Sequence, residues 1–493
     1  MFAWRKLPSN LRRLLPLLII VIAVSSGTVF SRSGLHYWAF HEGSKADLTT
    51  AHNLLTSSIF SRQNPRGKNT VKPDRAQPPG YPAVLAAIAA MDAKVATGLA
   101  CYGLRGGECQ LGYPFLSVSI VQTAAGVGIL ILIYYLTLEL TGSWLIGYAT
   151  VVIFVVLARL GEFARHLRPD NFQNLAIFAG LLLMALAVRR RSVVNALLAG
   201  LCFGIAALFH PPFAYFSLTA PFILILITFL TVRDTETRRF LSRAGGAFML
   251  GAIITMGPWA LRNLTLFGDP LLTDLYEARN LAIRLAYNGM SINEWFASFL
   301  HWIPSYGNDI SRLAFDISTT AKLDGANPGT YYASGQAILD KAIVATPPGG
   351  HPIKQLINDH IANAPLWHLV TTVPMFARGM WGSHGFFAIV GILLLPVLIR
   401  KMRPTPQFDA ALAVVVTCLA LVLINALVTP NFFWLNLQMA FLAALAIACR
   451  LERPLRRLAE RVSPSQKNLP GDLAVARNST DRASPKYRSA GDD

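Results

Sequence analysis

The sequence is poor in charged residues. Only 14% of its 493 residues are Asp, Glu, Lys or Arg and 53% are hydrophobic, whereas soluble domains carry about 25% charged residues. With a mean hydropathy of +0.45, this composition indicates an integral membrane protein. Acidic residues are the scarcer kind, since 26 of them against 44 basic residues give a net charge of +18. We find no RNA- or DNA-binding motif, so membrane topology and anionic lipid explain the charge and no nucleic-acid partner is predicted.

Several missing sequence motifs reduce the range of possible functions further. The chain has no nucleotide-binding glycine loop, so no nucleotide-sugar site is implied. Its early histidines, His36, His41 and His52, lack metal-ligand spacing. The sequence thus predicts no certain cofactor, and a divalent metal stays open. No clear internal repeat or buried charge of the transporter kind is present.

The sequence contains five cysteines. Cys202, Cys418 and Cys449 lie in or beside apolar runs and are predicted to be packing residues. Cys101 and Cys109 flank a glycine-rich polar turn. In an oxidising compartment these two can form a disulfide, and two reduced thiols are an equal alternative.

A membrane-spanning helix needs about 20 mostly apolar residues, and about ten segments qualify. We read the first of these as an uncleaved span rather than a signal peptide. The segment 81–97 is short and interrupted by Asp92 and Lys94, so it is predicted to be interfacial or re-entrant. The candidate spans are residues 12–31, 114–137, 143–162, 171–188, 193–210, 212–232, 244–264, 382–400, 408–428 and 431–449.

Basic clusters orient these spans. Arginines and lysines concentrate at residues 189–191, 233–243, 401–403 and 450–457, which share one side if the N-terminus is inside. This distribution follows the positive-inside rule, and counting 81–97 as a span would place the clusters outside. The predicted fold is therefore all-α and polytopic, with both termini inside.

The same pattern predicts four regions. Residues 1–264 form a membrane module whose first external loop is 32–113, with juxtamembrane helices. Residues 265–381 form an external, mostly helical cap, with helical patterns near 334–345 and 353–378. Three candidate spans follow in 382–449, and 450–493 is a basic cytoplasmic tail, predicted to be largely disordered because it is polar and poor in aromatic residues.

Two external loops carry candidate chemistry. Long loops tend to be functional, and the first contains Asp47, basic residues and a Pro-Pro-Gly-Tyr-Pro re-entry. The second is short, yet it holds Arg159, Arg165, His166 and Arg168. Cations on the outer side of a short loop oppose the usual export bias. A substrate phosphate would explain them.

Five motifs then coincide with one family. They are ADLTTAHNLL, PPGYP, HLRPDNFQNLAIF, ALFHPPFAY and MGPWALRNLTLFGD. Their order and their positions relative to the spans resemble the bacterial C-type (GT-C) glycosyltransferases of the protein mannosyltransferase and lipid A aminoarabinose transferase group. The resemblance covers roughly residues 10–450 and is weakest in the cap.

This resemblance implies an enzyme that moves a sugar from a polyprenyl phosphate to a glycan, lipid or protein acceptor. The reaction is expected on the periplasmic face of the bacterial inner membrane. An acid of the first external loop acts at the reacting centre in that family, and a second acid follows the third span; these positions match Asp47 and Asp170. Relatives often have a basic residue near the outer end of the last span, where this chain has Asn431. The double acid of the protein mannosyltransferases is also absent, so the donor-phosphate contacts and a protein acceptor stay open.

Glycosyl transfer needs a base or electrostatic partner for the acceptor. Asp47 and Asp170 are the candidate catalytic residues, with Glu42 as the rival to Asp47. Helix capping is the alternative role for both aspartates. His210, in LFHPPF, is a further candidate, with packing or capping as its more common role.

The departing phosphate needs positive charge, for which a guanidinium is well shaped. Arg262, Arg75 and Arg168 are the candidate phosphate-binding residues, with Arg165 as a further candidate. For Arg262, which follows Pro258 and Trp259, the alternative role is an interfacial anchor.

Other functions are weighed beside transfer of one sugar. The enzymatic alternative is a polymerase or ligase of lipid-linked oligosaccharides. A lipid-sugar flippase or transporter would belong to another class, and a non-catalytic scaffold would make the charged loops solvated surface.

Overall fold

The computed structural model describes residues 42–64, 71–105, 114–158, 166–231, 234–323, 325, 327–347, 350–381, 386–403, 405, 407–432, 435–454 and 457. The chain divides into two units, Met1–Arg450 and Leu451–Asp493. The predicted first span, Arg165 and nearly all of the predicted disordered tail lie outside the described residues. All that follows concerns the first unit.

Every regular element in the described residues is helical, which confirms the all-α prediction. The first external loop contributes α1 (Glu42–Ser57), α2 (Gly80–Met91) and α3 (Ala93–Arg105). The membrane module continues with α4 (Leu116–Thr141), α5 (Trp144–Ala158), α6 (Asp170–Arg190), α7 (Val193–Phe209), α8 (Pro212–Thr231) and α9 (Thr235–Phe267).

The predicted cap is built from seven short helices. They are α10 (Leu275–Ala286), α11 (Ile292–His301), α12 (Gly307–Ala314), α13 (Ile317–Ala321), α14 (Tyr331–Ala345), α15 (Pro352–Ile357) and α16 (Pro365–Trp381). The C-terminal part of the unit holds α17 (Phe386–Leu393), α18 (Leu395–Met402), α19 (Phe408–Val428) and α20 (Leu437–Arg450).

Four of the described helices are long and apolar enough to cross a membrane: α4, α6, α9 and α19. Shorter apolar helices lie at Gly80–Met91, Trp144–Ala158, Val193–Phe209, Phe387–Arg400 and Leu437–Arg450. The number of spans therefore stays a prediction.

The segment predicted to be interfacial is broken in two at Asp92. One Asp92 carboxylate oxygen accepts a hydrogen bond from the Lys94 backbone N–H at 2.9 Å. The other oxygen accepts one from the Ser117 hydroxyl. These bonds end α2 and start α3, so neither helix has the length of a full span.

Two predicted spans differ from the observed helices. The run 382–400 is interrupted at Leu394, between α17 and α18, because Pro396 has no N–H to continue the hydrogen-bond ladder. The span predicted from 431 becomes helical only at Leu437. Before it, Asn431 has a left-handed φ of 51° and its side-chain oxygen accepts a bond from Asn436 at 2.7 Å, so side-chain amides replace helix bonds there.

Close packing of α7 on α9 sets the frame of the module. A Cβ on Gly200 would lie 1.9 Å from the Phe248 carbonyl oxygen, and one on Gly204 would lie 2.8 Å from the Ala252 oxygen. Small residues permit such backbone approach. Because both positions advance by four residues, the two helices run parallel, and the end of α7 lies level with the part of α9 that precedes Arg262.

The first-loop helices pack on the ends of the module. Buried side chains of α1, α2 and α3 form one apolar cluster with residues from α4, the 166–169 loop and α7; its members include Leu48, Tyr81, Leu99, Phe115, Leu167 and Phe209. This cluster fixes where Asp47 lies. Cys101, at the end of α3, is disulfide-bonded, whereas Cys202, Cys418 and Cys449 are free thiols; Cys109 lies outside the described residues.

The predicted topology can be tested with single cysteines. We expect Asn327→Cys, on the cap, to react with a membrane-impermeant maleimide on intact cells, and Thr235→Cys, beside the basic cluster 233–243, to react only after permeabilisation. The background would keep Cys101 and Cys109 and replace the other three cysteines. Reaction of Thr235→Cys alone on intact cells would contradict the topology.

Candidate active site

Asp47 lies inside α1, five residues after the helix begins at Glu42, so it does not cap the helix. Its neighbours Leu48 and Ala51 are buried in the apolar cluster, which fixes this face of α1. Burial raises the pKa of the Asp47 carboxyl to about 8. The rival acid, Glu42, is at the first residue of the same helix.

Asp170 is the first residue of α6 and is only 3% exposed. One of its carboxylate oxygens lies 2.9 Å from Nε of the partly exposed Arg168, so the two residues form an ion pair. Gln122 of α4 fixes this turn, because its side-chain N–H donates to the His166 carbonyl oxygen at 2.8 Å. Asn171 returns a bond to the Gln122 carbonyl oxygen at 2.9 Å.

Two tyrosines, Tyr81 and Tyr276, are influenced by the charges of both acids. Burial raises the pKa of Tyr81, and the negative charges of Asp47 and Asp170 raise it further while Arg168 lowers it. Burial raises the pKa of Tyr276 as well, followed by Asp170 and, more weakly, Asp47. Each tyrosine therefore lies within electrostatic reach of both carboxylates. Asp47, Asp170 and Arg168, which were predicted one by one from the sequence, therefore lie around the same two tyrosines.

His210 joins this group through Tyr276. It follows the last residue of α7 and is buried. Its Nδ1 lies 3.0 Å from the Tyr276 hydroxyl oxygen. Its Nε2 is buried without a hydrogen-bond partner among the described residues. The imidazole thus holds the tyrosine and keeps one further polar atom for a ligand or water.

The sequence analysis did not single out either tyrosine. Tyr81 is the tyrosine of the PPGYP motif, so the motif carried a signal for it. Tyr276 has only its position shortly after α9 as a signal, and its contact with His210 depends on folding. A tyrosine in the first turn of a helix is too common to be recognised without that contact.

Arg75 contacts two acidic residues that follow α9 and a histidine of the cap. It is 6% exposed, and its Nε lies 3.5 Å from a carboxylate oxygen of Asp274. Its Nη1 lies 3.8 Å from a carboxylate oxygen of Asp269, and its Nη2 lies 2.8 Å from Nε2 of His351. Two acids already match its charge, so this geometry favours a role in joining the first loop to α10 and the cap.

Arg262 lies near the end of α9 against aromatic rings. Its guanidinium carbon is 4.4 Å from the Trp259 ring centroid and 5.5 Å from that of Phe60. One nitrogen donates to the Asp74 carbonyl oxygen at 3.1 Å and another to the Asn263 side chain at 2.8 Å. These contacts leave Arg262 further N–H groups, because a guanidinium has five donors.

Arg262 also faces a cavity of about 350 Å³. Its walls are mostly apolar and come from the end of α1, the following loop, α2 and α9; they are Leu54, Ser58, Ile59, Phe60, Pro73, Pro79, Ala83, Trp259 and Leu266. Leu54 lies seven residues after Asp47 on α1, a rise of roughly 10 Å. The cavity therefore shares helix α1 with Asp47 and has one positively charged residue, Arg262, in its lining.

The described residues contain no group of three or more His, Cys, Asp or Glu placed to hold a metal ion. Asp47 and Asp170 offer two carboxylates to a ligand, and His210 offers one imidazole nitrogen. This set does not assign a metal.

Comparisons with known proteins bear on the family and the fold. Residues 103–259 match the sequence model of the dolichyl-phosphate-mannose-protein mannosyltransferase family. The structure matches the archaeal oligosaccharyltransferase AglB from Archaeoglobus fulgidus, solved with an inhibitory peptide and a dolichol-phosphate, at a TM-score of 0.51 and 13% identity. The match covers 92% of this chain and 52% of that one. The chain has the GT-C fold.

The resemblance found in the sequence motifs is thus confirmed for the fold. The GT-C chain spans about half the length of the AglB chain that it matches. No curated protein matches the sequence. The family match contains Arg168, Asp170 and His210 but neither Asp47 nor Arg262, so the assignment of those two depends on the geometry described here.

The raised pKa of Asp47 has a consequence for stability. Because the folded-state value is about 8 against an ordinary 3.8, the unfolded chain releases this proton first as pH rises. Asp47 therefore lowers stability progressively between about pH 4 and pH 8. We expect Asp47→Asn to melt at the wild-type temperature near pH 4 and above it near pH 9, measured by tryptophan fluorescence in detergent.

Asp340→Asn, at an exposed cap position, is the control. Melting temperatures of Asp47→Asn that equal those of wild type at every pH would contradict the assignment.

Proposed function

We propose that this protein is a membrane glycosyltransferase that moves a sugar from a polyprenyl phosphate to an acceptor on the external face. The electrostatic grouping of Asp47, Asp170 and Arg168 around Tyr81 and Tyr276 carries this proposal, and the apolar cavity lined by Arg262 supports it. The family match, named for dolichyl-phosphate-mannose, and the neighbour with bound dolichol-phosphate support a lipid-linked donor. The acceptor class, whether glycan, lipid or protein, stays open.

Asp47 is the proposed base. Its ionised carboxylate would accept the proton of the acceptor hydroxyl as that oxygen bonds to the anomeric carbon. The bond from this carbon to the phosphate oxygen breaks, and polyprenyl phosphate leaves with the electron pair. A pKa near the working pH suits a general base, and a carboxylate also stabilises positive charge developing on the sugar ring.

Arg262 and the cavity are the proposed donor site. The apolar walls suit the first isoprene units, and the guanidinium beside Trp259 suits the phosphate. Arg168 is the cation nearest to the acids, and its pair with Asp170 orients it. Tyr81 and Tyr276 would donate hydrogen bonds to sugar hydroxyls between these groups.

The proposed location is the bacterial inner membrane, with the site facing the periplasm. The positive-inside pattern supports the orientation. The disulfide of Cys101, at the end of α3, supports it independently because disulfides persist in oxidising compartments.

Replacement of Asp47 tests the function. Asp47→Asn keeps the size of the side chain and removes its charge, and a positioned base contributes about 10²–10⁴-fold in rate. We expect Asp47→Asn to reduce sugar transfer by about that factor in purified, reconstituted protein supplied with radiolabelled polyprenyl-phosphate sugar.

Glu42→Gln is the matched control, since it removes a neighbouring acid from the same helix. It should retain near wild-type turnover. Full turnover by Asp47→Asn with an inactive Glu42→Gln would transfer the role to Glu42. Wild-type protein that moves the labelled lipid across vesicles without forming glycoside would instead indicate a flippase.

Replacement of Arg262 tests the donor site. A hydrogen bond to a charged group is worth about 1.5–3 kcal/mol, and each 1.4 kcal/mol is tenfold in affinity. We expect Arg262→Ala to raise the donor KM roughly tenfold to hundredfold, and Arg262→Lys to restore it only in part because lysine lacks the bidentate fork. The measurement is the initial rate against donor concentration.

Arg75→Ala separates a donor contact from a structural one. Loss of the Arg75 ion pairs should lower the melting temperature and leave the donor KM of the folded protein unchanged. An anchor role for Arg262 predicts full activity with lysine, which also reaches the interface. A raised donor KM in Arg75→Ala with normal kinetics in Arg262→Ala would exchange the two assignments.

A further inference from the structure

Helix α16 buries polar side chains and exposes apolar ones, which is the reverse of what a helix on a water-exposed cap would do. Its polar residues His368, Thr371 and Thr372 are buried. Its exposed residues are large and apolar, with Leu366 77% exposed and Leu369 55% exposed. Val370 and Val373 continue this exposed face, at the i, i+3, i+4, i+7 spacing of one side of a helix. A helix at a water-exposed surface shows the opposite arrangement.

A fully buried arginine accounts for the polar side of α16. Arg284, on α10, donates to the hydroxyl oxygens of Thr371 and Thr372 at 3.2 and 2.8 Å. It also donates to the His368 carbonyl oxygen at 3.0 Å. A buried guanidinium needs such acceptors. The threonines therefore face inward, which leaves the leucines and valines on the outside.

The same contacts place α16 beside a candidate membrane span. Nε of Arg284 donates to the Ala426 carbonyl oxygen of α19 at 2.6 Å. Four residues further along α16, the Met375 carbonyl oxygen accepts from the Asn431 side chain at 2.8 Å, and the same nitrogen donates to the Val422 carbonyl oxygen at 3.3 Å. The contact positions on α19 decrease by four residues as those on α16 increase by four, so the two helices run antiparallel.

The pairing of α16 with α19 gives the depth of α16 relative to the predicted outer end of that span. Val422 lies six residues before the end of α19 at Val428, which is roughly 9 Å along the helix axis. Val428 is the predicted external end of that span. Met375 therefore lies about 9 Å below the predicted outer end of the span, level with the part of α19 that contains the exposed Leu423.

A second helix extends the exposed face. The indole N–H of Trp295, on α11, donates to the Val370 carbonyl oxygen at 2.9 Å. Trp295 contacts Phe296 with ring centroids 4.9 Å apart. Phe296 and Ile292, one helical turn apart, are both more than half exposed. Tryptophan in this position is typical of the boundary between membrane and water.

We propose that α11 and α16 are embedded in the outer leaflet, with lipid acyl chains covering Leu366, Leu369, Val370, Val373, Ile292 and Phe296. The cap is then anchored in the membrane ahead of residue 382, where the sequence placed the start of the next span. Lipid is the occupant because α16 is held against α19, which is long and apolar enough to span a membrane and whose exposed residues include Leu423. Monomeric soluble proteins rarely expose such a contiguous apolar patch to water. The inference does not depend on the proposed glycosyl transfer.

Spin labels can measure the depth directly. A nitroxide would be attached to Leu369→Cys, Val373→Cys or Phe296→Cys in full-length protein, with Cys101 and Cys109 retained, in phospholipid nanodiscs. Collision with oxygen, which concentrates in lipid, would be compared with collision with a water-soluble nickel chelate. Asp340→Cys, exposed on α14 of the same cap, is the matched aqueous control.

We expect the three apolar positions to favour oxygen and Asp340→Cys to favour nickel. The three positions lie on two helices and are exposed, so misfolding of one variant leaves the others to report. A nickel preference at both α16 positions would overturn the proposal. Labels shielded from both reagents would also overturn it, because a protein partner or second copy would then cover the face.

Discussion

Hydrocarbon provides no water to satisfy a polar group, so each such group inside the membrane needs a partner in the protein. This constraint explains the all-helical fold and several of its irregular parts. At the junction of α19 and α20, Asn425, Asn431 and Asn436 are hydrogen-bonded to one another and to the Met375 carbonyl oxygen, although the Asn425 side-chain oxygen is buried without a partner among the described residues. Arg284 imposes the same requirement on α16 and turns its polar side inward. Side-chain amides and hydroxyls thus take the place of solvent at these two sites.

The candidate site uses the same constraint for chemistry. Asp170 is ionisable and buried, and Arg168 balances its charge at 2.9 Å. Asp47 is positioned by an apolar cluster, and burial raises the pKa of its carboxyl to about 8. Burial raises the pKa of Asp170 as well, but there Arg168 lowers it in part. The two acids therefore differ in having or lacking a paired cation, which suits Asp170 to orienting Arg168 and Asp47 to exchanging a proton.

Helices with strong local signals were predictable from sequence. The span predicted at 408–428 is helix α19, and that predicted at 193–210 is α7 and its cap residue His210. Asp47, Asp170 and Arg168 were also predicted, from loop position and family motifs. That these three residues meet could not be calculated from sequence, because it depends on how α1 packs on α2 and α3 and on how α2 packs on α7.

Other features carried no local signal. The break between α17 and α18 depends on Pro396, whose effect inside an apolar run varies with packing. Tyr276 and Arg284 gained importance only from partners far away in sequence. Arg75 was assigned to phosphate because it lies beside the PPGYP motif, whereas its observed partners belong to the segment after α9 and to the cap. These partners also impose an order on synthesis: the arginine leaves the ribosome first, and its contact at Asp269 is 194 residues away. The first loop cannot complete its ion pairs until α9 has been inserted, so assembly of this loop is a late event in biogenesis.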